Sequence, residues 1–100
     1  MSKIVYTNVV TTLKSAGSAM RCKEVKALLV ELGFSVRDGN KGGHKVYTHQ
    51  HIQSFKSGGF NCDHGKNPEI KRPYIKNIIK VLEKYEQELV DYLESQNGKR

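Results

Sequence analysis

The sequence predicts one small α+β domain, in which helices pack on one face of a three-stranded antiparallel sheet. Apolar residues recur at helical spacing towards both ends of the chain, whereas the middle alternates apolar and polar residues between glycine-rich turns. The length of 100 residues and the hydrophobic fraction of 37% are enough for one core. We therefore expect a single domain over residues 1–100, without a deep cleft for a large cofactor.

Two helices are expected before the sheet. Residues 3–14 carry an apolar stripe at helical spacing, formed by Tyr6, Val9, Val10 and Leu13. The segment Ser15–Ser18 interrupts that pattern as a linker. A second stripe follows, formed by Val25, Leu28, Leu29 and Leu32. Gly33 stands where a C-terminal cap glycine belongs, so the second helix should end there.

Three strands are expected next, as a meander. Phe34 and Val36 alternate with polar neighbours, which is typical of a short half-buried strand. The glycine-rich turn at 38–43 contains an Asp-Gly pair and predicts a hairpin, with residues 44–50 as the returning strand. A third strand lies between residues 52 and 63 and is interrupted by Gly58-Gly59.

One long helix should close the chain. Residues 64–68 predict a loop, and Pro73 suits the first position of a helix, because its missing N–H needs no partner there. An apolar stripe then continues for about six turns, to about Ser95; its members are Ile75, Ile78, Ile79, Leu82, Leu89 and Leu93. The apolar stripe at 3–14 is expected to pack against the end of this helix, within one chain or across a dimer.

The charge of the chain is uneven. Of the net charge of +7, the window 35–80 carries +6, from nine Lys/Arg and three Asp/Glu. This concentration favours a polyanion, most commonly nucleic acid, as the partner; a basic face that only keeps the protein in solution is the alternative. No apolar run could span a bilayer and the first residues form no secretion signal, so we expect a cytoplasmic protein with no membrane partner. Cys22 and Cys62 are expected to be reduced.

The stretch "KGGHK", with His44 at its centre, is the strongest candidate for a site. The two glycines permit positive φ and a close approach of a ligand to the backbone. Histidine titrates near neutrality, and between two lysines it can exchange protons beside a phosphate. RNA supplies its own nucleophile, the 2′-hydroxyl, so its cleavage needs a base, an acid and cations but no metal. A surface histidine in a turn is the alternative interpretation.

The spacing also leaves a zinc site open. His49-x-His51 and Cys62-x-His64 each place two ligand types on one face of a strand. Four ligands would surround a metal only if the two strands paired in the right register, and one of them is broken by a diglycine. We therefore expect neither a metal nor another cofactor.

Three blocks of the sequence together resemble the HicA family, the toxins of HicA–HicB toxin–antitoxin pairs. The first is "RCKEVKALLVELGF", similar to the family's Lys-Glu-aliphatic helix ending in Gly-aromatic. The second is "GGHKVYTH", similar to its strand that begins Gly-Ser-His or Gly-Gly-His and has an aromatic residue three positions after the histidine. The third is "EIKRPYIKNIIK", similar to its final basic helix. The match covers about residues 21–83. The helix at 3–14 and an extension of the last helix over 84–95 are additions, and Pro73-Tyr74 stands where the family usually has Gly-Thr.

This resemblance implies an α-β-β-β-α fold like a double-stranded-RNA-binding domain, and a metal-independent endoribonuclease that cleaves mRNA. Carried across, the catalytic histidine is His44, and a HicB-like antitoxin protein would cover its surface. His64 lies near a histidine of some family members and is a candidate second acid or base. The expected RNA contacts are Lys41, Gly42, Gly43, Lys45, Tyr47, Lys71, Arg72 and Lys76.

Two other function classes stay open. A non-catalytic RNA-binding module of the same fold would hold RNA on the basic face without cutting it. An interaction protein would pair with a partner through the acidic stretch Glu83–Glu94. His44 discriminates the endoribonuclease from the binding module, since a binder has no need of a histidine beside a diglycine. The oligomeric state is open as well.

Overall fold

The computed structural model describes residues 2–16, 19–39, 42–63 and 65–97. Within these residues the chain folds as a small α+β structure with four α-helices, a three-stranded antiparallel sheet and a separate two-stranded sheet. The elements in chain order are α1 Ser2–Lys14, β1 Ala19–Arg21, α2 Cys22–Glu31, β2 Ser35–Asp38, β3 His44–Thr48, β4 Gly58–Asn61, β5 Glu69–Lys71, α3 Arg72–Lys84 and α4 Glu86–Asn97.

The three-stranded sheet is the predicted meander, with strand order β2-β3-β4. Tyr47 lies opposite Val36 on one side, and Lys45 lies opposite Phe60 on the other. Tyr47 and Phe60 are buried in the core, where α2 packs on β2 and α3 on β4. Because side chains alternate along a strand, positions 45, 47 and 60 define the inner face, and positions 44, 46 and 61 the outer face.

The glycine pair Gly58-Gly59 begins β4 instead of interrupting a longer strand, so the predicted interruption is wrong. A Cβ at Gly58 would collide with the ring of Tyr47, which lies opposite. The glycine therefore makes room for a large core side chain. The preceding segment packs by its side chains, with Ile52 and Phe55 buried, and forms no strand.

The helix α2 ends where the sequence predicts. Gly33 has a φ of 96°, and its N–H donates to the carbonyl oxygen of Val30 at 2.9 Å. The N–H of Phe34 donates to the carbonyl oxygen of Leu29 at 3.0 Å. These two hydrogen bonds form a Schellman motif, in which glycine adopts the left-handed conformation at no steric cost.

The apolar stripe of α1 packs within the same chain against α3 and α4, which confirms the predicted packing. Leu13 is fully buried, and the hydroxyl of Tyr6 donates a hydrogen bond to the carbonyl oxygen of Leu82 at 3.0 Å. Burial, together with the nearby carboxylates of Glu86 and Glu83, raises the pKa of Tyr6 to about 12. Two ion pairs accompany the contact, Lys3–Glu86 and Lys14–Glu83.

The last helix bends at Tyr85, where the sequence predicts a continuous helix. Tyr85 has φ −107° and ψ 23°, outside regular helical geometry. Its ring packs against Phe55 with centroids 5.4 Å apart, and its hydroxyl donates to the carbonyl oxygen of Ser54 at 3.2 Å. This anchoring to the loop before β4 overrides the helical pattern, and α4 beyond the bend lies against α1.

The short pairing of β1 with β5 is an element that the sequence analysis misses. It brings the start of α2 beside the end of β4, where the N–H of Cys22 donates to the carbonyl oxygen of Pro68 at 2.8 Å. Cys22 and Cys62 form a disulfide, with Cα atoms 5.8 Å apart and a sequence separation of 40 positions. The expectation of reduced cysteines is wrong for this structure, because a pairing of three residues per strand leaves too little pattern to reveal the contact.

The core is continuous from α1 to the inner face of the sheet. Its largest fully buried side chains include Tyr47, Phe60, Leu13, Leu29 and Leu82. Among the described residues, no helix combines the length and the apolar character that crossing a bilayer requires.

Candidate active site

His44 is the first residue of β3 and projects from the outer face of the sheet. In the register of β3 with β4 it lies opposite Asn61, whereas its neighbour Lys45 lies opposite the buried Phe60. Directly opposed residues share a face, so His44 and Asn61 stand together on the side that the core does not use. The His44 side chain is half-buried.

Two glycines flank the His44 ring at places where other residues would bring side chains. A Cβ at Gly39, just after β2, would collide with the ring carbon Cδ2. A Cβ at Gly59 would lie 2.9 Å from Cε1 and 3.3 Å from Nε2. The ring therefore lies over the sheet between two bare backbone positions, with Nε2 towards Gly59. The sequence does not single out these glycines, because their role depends on the strand register.

A chain of two hydrogen bonds starts at the other ring nitrogen. Nδ1 of His44 lies 2.8 Å from Oδ1 of Asn61, and Nδ2 of Asn61 donates to the hydroxyl of Tyr74 at 2.9 Å. Tyr74 belongs to the first turn of α3, so three elements meet at this point. Sequence reasoning misses both residues: Asn61 reads as one polar residue of an irregular strand, and only the tertiary fold brings α3 to it.

Arg37 supplies positive charge on the same face. Arg37 of β2 lies opposite Val46 of β3, and Val46 in turn lies opposite Gly59 of β4. Since the ring of His44 extends over Gly59, Arg37 belongs to the row next to Nε2. Its side chain is exposed, and it forms no ion pair with the described residues. The alternation in β2 is visible in the sequence, but the proximity to His44 is not.

The predicted diglycine has two different local roles. Gly42 has a φ of 29°, a left-handed value that glycine adopts easily. Gly43 sits against the backbone of Cys62, whose N–H donates to the Gly43 carbonyl oxygen at 2.8 Å; a Cβ at Gly43 would collide with the carbonyl oxygen of Cys62. Gly43 thus allows two strands to approach each other, so its place in the chain does not depend on a ligand.

Lys45 does not stand beside His44. It projects from the inner face near the start of the central strand β3 and forms an ion pair with Asp38. The hydrogen bond and the charge of Lys45 lower the pKa of the Asp38 carboxyl. The prediction that Lys45 flanks His44 at a phosphate is wrong in this fold, because consecutive residues of a strand face opposite sides.

Tyr47 is a core residue. Its side chain is 1% exposed, and its ring packs edge to face on Phe34 with centroids 5.4 Å apart. Burial raises the pKa of Tyr47 to about 12. The prediction of RNA contact by Tyr47 is therefore wrong, since no face of the ring is available to a base. Phe55 and Phe60 are buried as expected.

The predicted basic residues near α3 lie around the candidate site without lining it together. Lys71 forms an ion pair with Asp63 at 3.0 Å, and this contact raises the pKa of Lys71. Arg72 is half-buried as the first residue of α3. Lys76 is exposed, but it follows Tyr74 by two residues, so the two side chains project to nearly opposite sides of the helix. Two further predicted residues, Lys41 and His64, lie outside the described residues.

The zinc alternative loses two of its ligands. His49 is 5% exposed; its Nε2 lies 3.0 Å from the carbonyl oxygen of Leu32, and its Nδ1 accepts a hydrogen bond from the backbone N–H of His51 at 3.2 Å. Both ring nitrogens are thus engaged, and the Cys62 sulfur is bonded to Cys22. Within the part of the chain that the structure describes, no three His, Cys, Asp or Glu side chains are grouped as metal ligands.

The geometry places one imidazole on the outer face of the sheet, with Nδ1 bonded to Asn61, Nε2 towards Gly59 and an arginine in the adjacent row. This arrangement can bind a phosphodiester and exchange a proton beside it. Comparisons of this chain with protein-family models, with curated proteins and with solved structures find no match.

Proposed function

We propose that this protein is a metal-independent endoribonuclease that cleaves mRNA, the toxin of a HicA-type toxin–antitoxin pair, with His44 as its acid–base residue. The observation that carries the proposal is the position of the His44 ring on the outer face of the sheet, with its Cε1 and Nε2 edge against Gly59, where a residue with a side chain would displace it. A fold like that of a double-stranded-RNA-binding domain is part of the same proposal, supported by the packing of α2 on β2 and of α3 on β4.

The proposed reaction uses the substrate's own nucleophile. Nε2 of His44 takes the proton of a ribose 2′-hydroxyl, the 2′-oxygen forms a bond to phosphorus, and the bond from phosphorus to the 5′-oxygen breaks. The leaving 5′-oxygen takes a proton from water or from a second acid, for which His64 is the candidate. The products are a 2′,3′-cyclic phosphate and a 5′-hydroxyl. Arg37 stabilises the charge that develops on the phosphate oxygens.

The partners follow from the same surface. The net charge of +7 favours RNA as the substrate, and a HicB-like antitoxin would act by covering the outer face around His44. We place the protein in the cytoplasm, where mRNA is translated. In that reducing compartment the Cys22–Cys62 bond would be open much of the time; the hydrogen bond from Cys62 to Gly43 and the pairing of β1 with β5 would then hold this segment.

The test is cleavage of a labelled RNA by the purified protein. His44→Ala should lower the cleavage rate by about 10²–10⁴-fold without loss of the fold, and a chelator should change little. His51→Ala is the matched control, because His51 is an exposed histidine remote from the outer-face site. Equal cleavage by His44→Ala would refute the assignment, and binding of RNA without cleavage by the wild type would favour the non-catalytic module.

A second variant tests the carrying observation itself. Gly59→Ala would place a methyl group 2.9 Å from Cε1 of His44 and force the ring aside. Since a displacement of about 1 Å costs about 10²-fold in rate, cleavage should fall by that factor. Thr48→Ala truncates a side chain at the other end of β3 from His44 and should leave the rate unchanged. A fully active Gly59→Ala protein would show that catalysis does not use this side of the ring.

A further inference from the structure

We propose that Asn61 is a positioning residue, which determines which nitrogen of His44 carries the ring proton, and that Tyr74 holds the Asn61 amide in the orientation this requires. The inference rests on the proposed function for its catalytic consequence. The tautomer of the His44 imidazole can be measured whether or not RNA is cleaved.

The tautomer follows from the acceptor that faces the ring. Oδ1 of Asn61 lies 2.8 Å from Nδ1 of His44, and an amide oxygen has no proton to donate. Nδ1 must therefore carry the proton and donate it. In the neutral imidazole this leaves Nε2 with its lone pair free. Nε2 is the nitrogen towards Gly59, and it is the nitrogen that the proposed function assigns to the 2′-hydroxyl.

The orientation of the amide depends on Tyr74. Nδ2 of Asn61 donates to the Tyr74 hydroxyl oxygen at 2.9 Å, and in this arrangement the amide oxygen faces the ring. Replacing that hydroxyl with hydrogen would leave Nδ2 without its acceptor. The amide could then turn over and present N–H to Nδ1, and the ring proton would move to Nε2.

Asn61 matters because few other side chains fix the orientation of the His44 ring. The flanking positions Gly39 and Gly59 offer no side chains, and among the described residues Asn61 is the one side chain that hydrogen-bonds to the His44 ring. The charged or titratable groups on the adjoining elements include Arg37 and Asp38 on β2, Arg72 and Tyr74 on α3, and Asp63 after β4; Asp38 is paired with Lys45, and Asp63 with Lys71. The amide oxygen of Asn61 accepts the Nδ1 proton both in the neutral ring and after Nε2 has been protonated. As a neutral group it adds no charge beside the ring.

Two measurements test the proposal together. Long-range nitrogen–proton NMR spectra report the tautomer of His44, and single-turnover cleavage of RNA reports the rate and its pH profile. The wild type should show the proton on Nδ1 at pH values where the ring is neutral. Asn61→Leu, similar in size but without the acceptor, should show a mixture of tautomers and lose about tenfold to a hundredfold in kcat with little change in KM. Tyr74→Phe should give a smaller change in the same direction.

The conservative variant Asn61→Asp separates positioning from packing. A carboxylate still accepts the Nδ1 proton, so the tautomer should be retained. Its negative charge favours the protonated ring, so the low-pH limb of the cleavage profile and the NMR titration of His44 should both move to higher pH. Ser35→Asp, which adds the same charge at the far end of the outer face, should leave both in place.

The outcomes are distinguishable. A wild-type ring with its proton on Nε2, or an Asn61→Leu protein with unchanged tautomer and unchanged kcat, would overturn the positioning role. A wild type that cuts no RNA, yet shows the Nδ1 proton lost in Asn61→Leu, would overturn the proposed function and support the positioning role. Thermal melting of each variant identifies any that fails to fold, and the Asn61→Asp comparison then decides.

Discussion

The rings of His49 and Tyr92 meet edge to face, with centroids 4.8 Å apart and planes at 90°. The contact joins the loop after β3 to α4 directly above Gly33, where any side chain would strike both rings. Within the described chain it closes the end of the core that lies away from His44. His44 and His49 thus have different environments. His44 is half-buried on the outer face, whereas His49 is buried against the rings of Phe34 and Tyr92.

The burial of His49 predicts a loss of stability at mildly acidic pH. Burial lowers its pKa, the hydrogen bond to Leu32 opposes this shift, and His51 adds to the lowering. Unfolded histidine titrates at about pH 6.5, so the unfolded chain binds more protons than the folded one below that pH. The contribution of His49 is therefore fully present above about pH 6.5 and is lost as the pH falls through its lowered pKa.

Urea unfolding between about pH 7.5 and about pH 5 measures this effect. His51→Gln should keep most of the pH dependence, because His51 contributes less to the His49 pKa than burial does, whereas His49→Gln should remove most of it. The same pH dependence in the wild type and in His49→Gln would contradict the prediction.

The docking of α1 predicts a large effect at Leu13 and a small one on the opposite side of the helix. Leu13 is fully buried, so Leu13→Ala should lower the free energy of unfolding by about 2–5 kcal/mol. Thr7→Ala, at an exposed position of the same helix, should stay within about 0.5 kcal/mol of the wild type. Denaturant titration compares the two, and near-equal midpoints would mean that α1 adds little to the core.

Arg37 and Lys45 form a matched pair for RNA binding, since they lie on neighbouring strands and project from opposite faces. Arg37→Gln should weaken RNA binding and reduce the slope of log K against log salt by about 0.7, the value for one single-strand phosphate contact. Lys45→Gln should change the slope little, because its partner is Asp38. Binding isotherms at several salt concentrations measure this slope. A larger change for Lys45→Gln than for Arg37→Gln would place the RNA on the inner face of the sheet, at Lys45.

The disulfide predicts a redox-dependent stability. A cross-link across 40 residues removes loop-closure freedom from the unfolded chain, which in the chain-entropy description is worth about 4 kcal/mol. Reductant should therefore lower the denaturation midpoint of the wild type. A double variant, Cys22→Ser with Cys62→Ser, should match the reduced protein and show no response to reductant. Identical midpoints with and without reductant would indicate that the bond adds nothing to stability.

Periodicity alone predicts much of the secondary structure. The stripe on α1 and the cap at Gly33 need only local information: the spacing of apolar residues and the left-handed conformation that glycine tolerates. The hairpin around His44 is equally local, because a glycine-rich turn between two alternating segments admits few other arrangements. His44 as the residue of interest follows from the same short stretch.

The surroundings of His44 depend on contacts between distant parts of the chain. Strand register puts Asn61 opposite His44 and turns Lys45 away, and a shift of one residue would exchange the two faces. The pairing of β1 with β5 brings Cys22 to Cys62, and the packing of α3 brings Tyr74 to Asn61. The sequence by itself determined α1, α2, the meander and the histidine on its glycine turn, because those depend on neighbouring residues. The tertiary structure decided which side chains surround that histidine, because register and packing depend on the whole core.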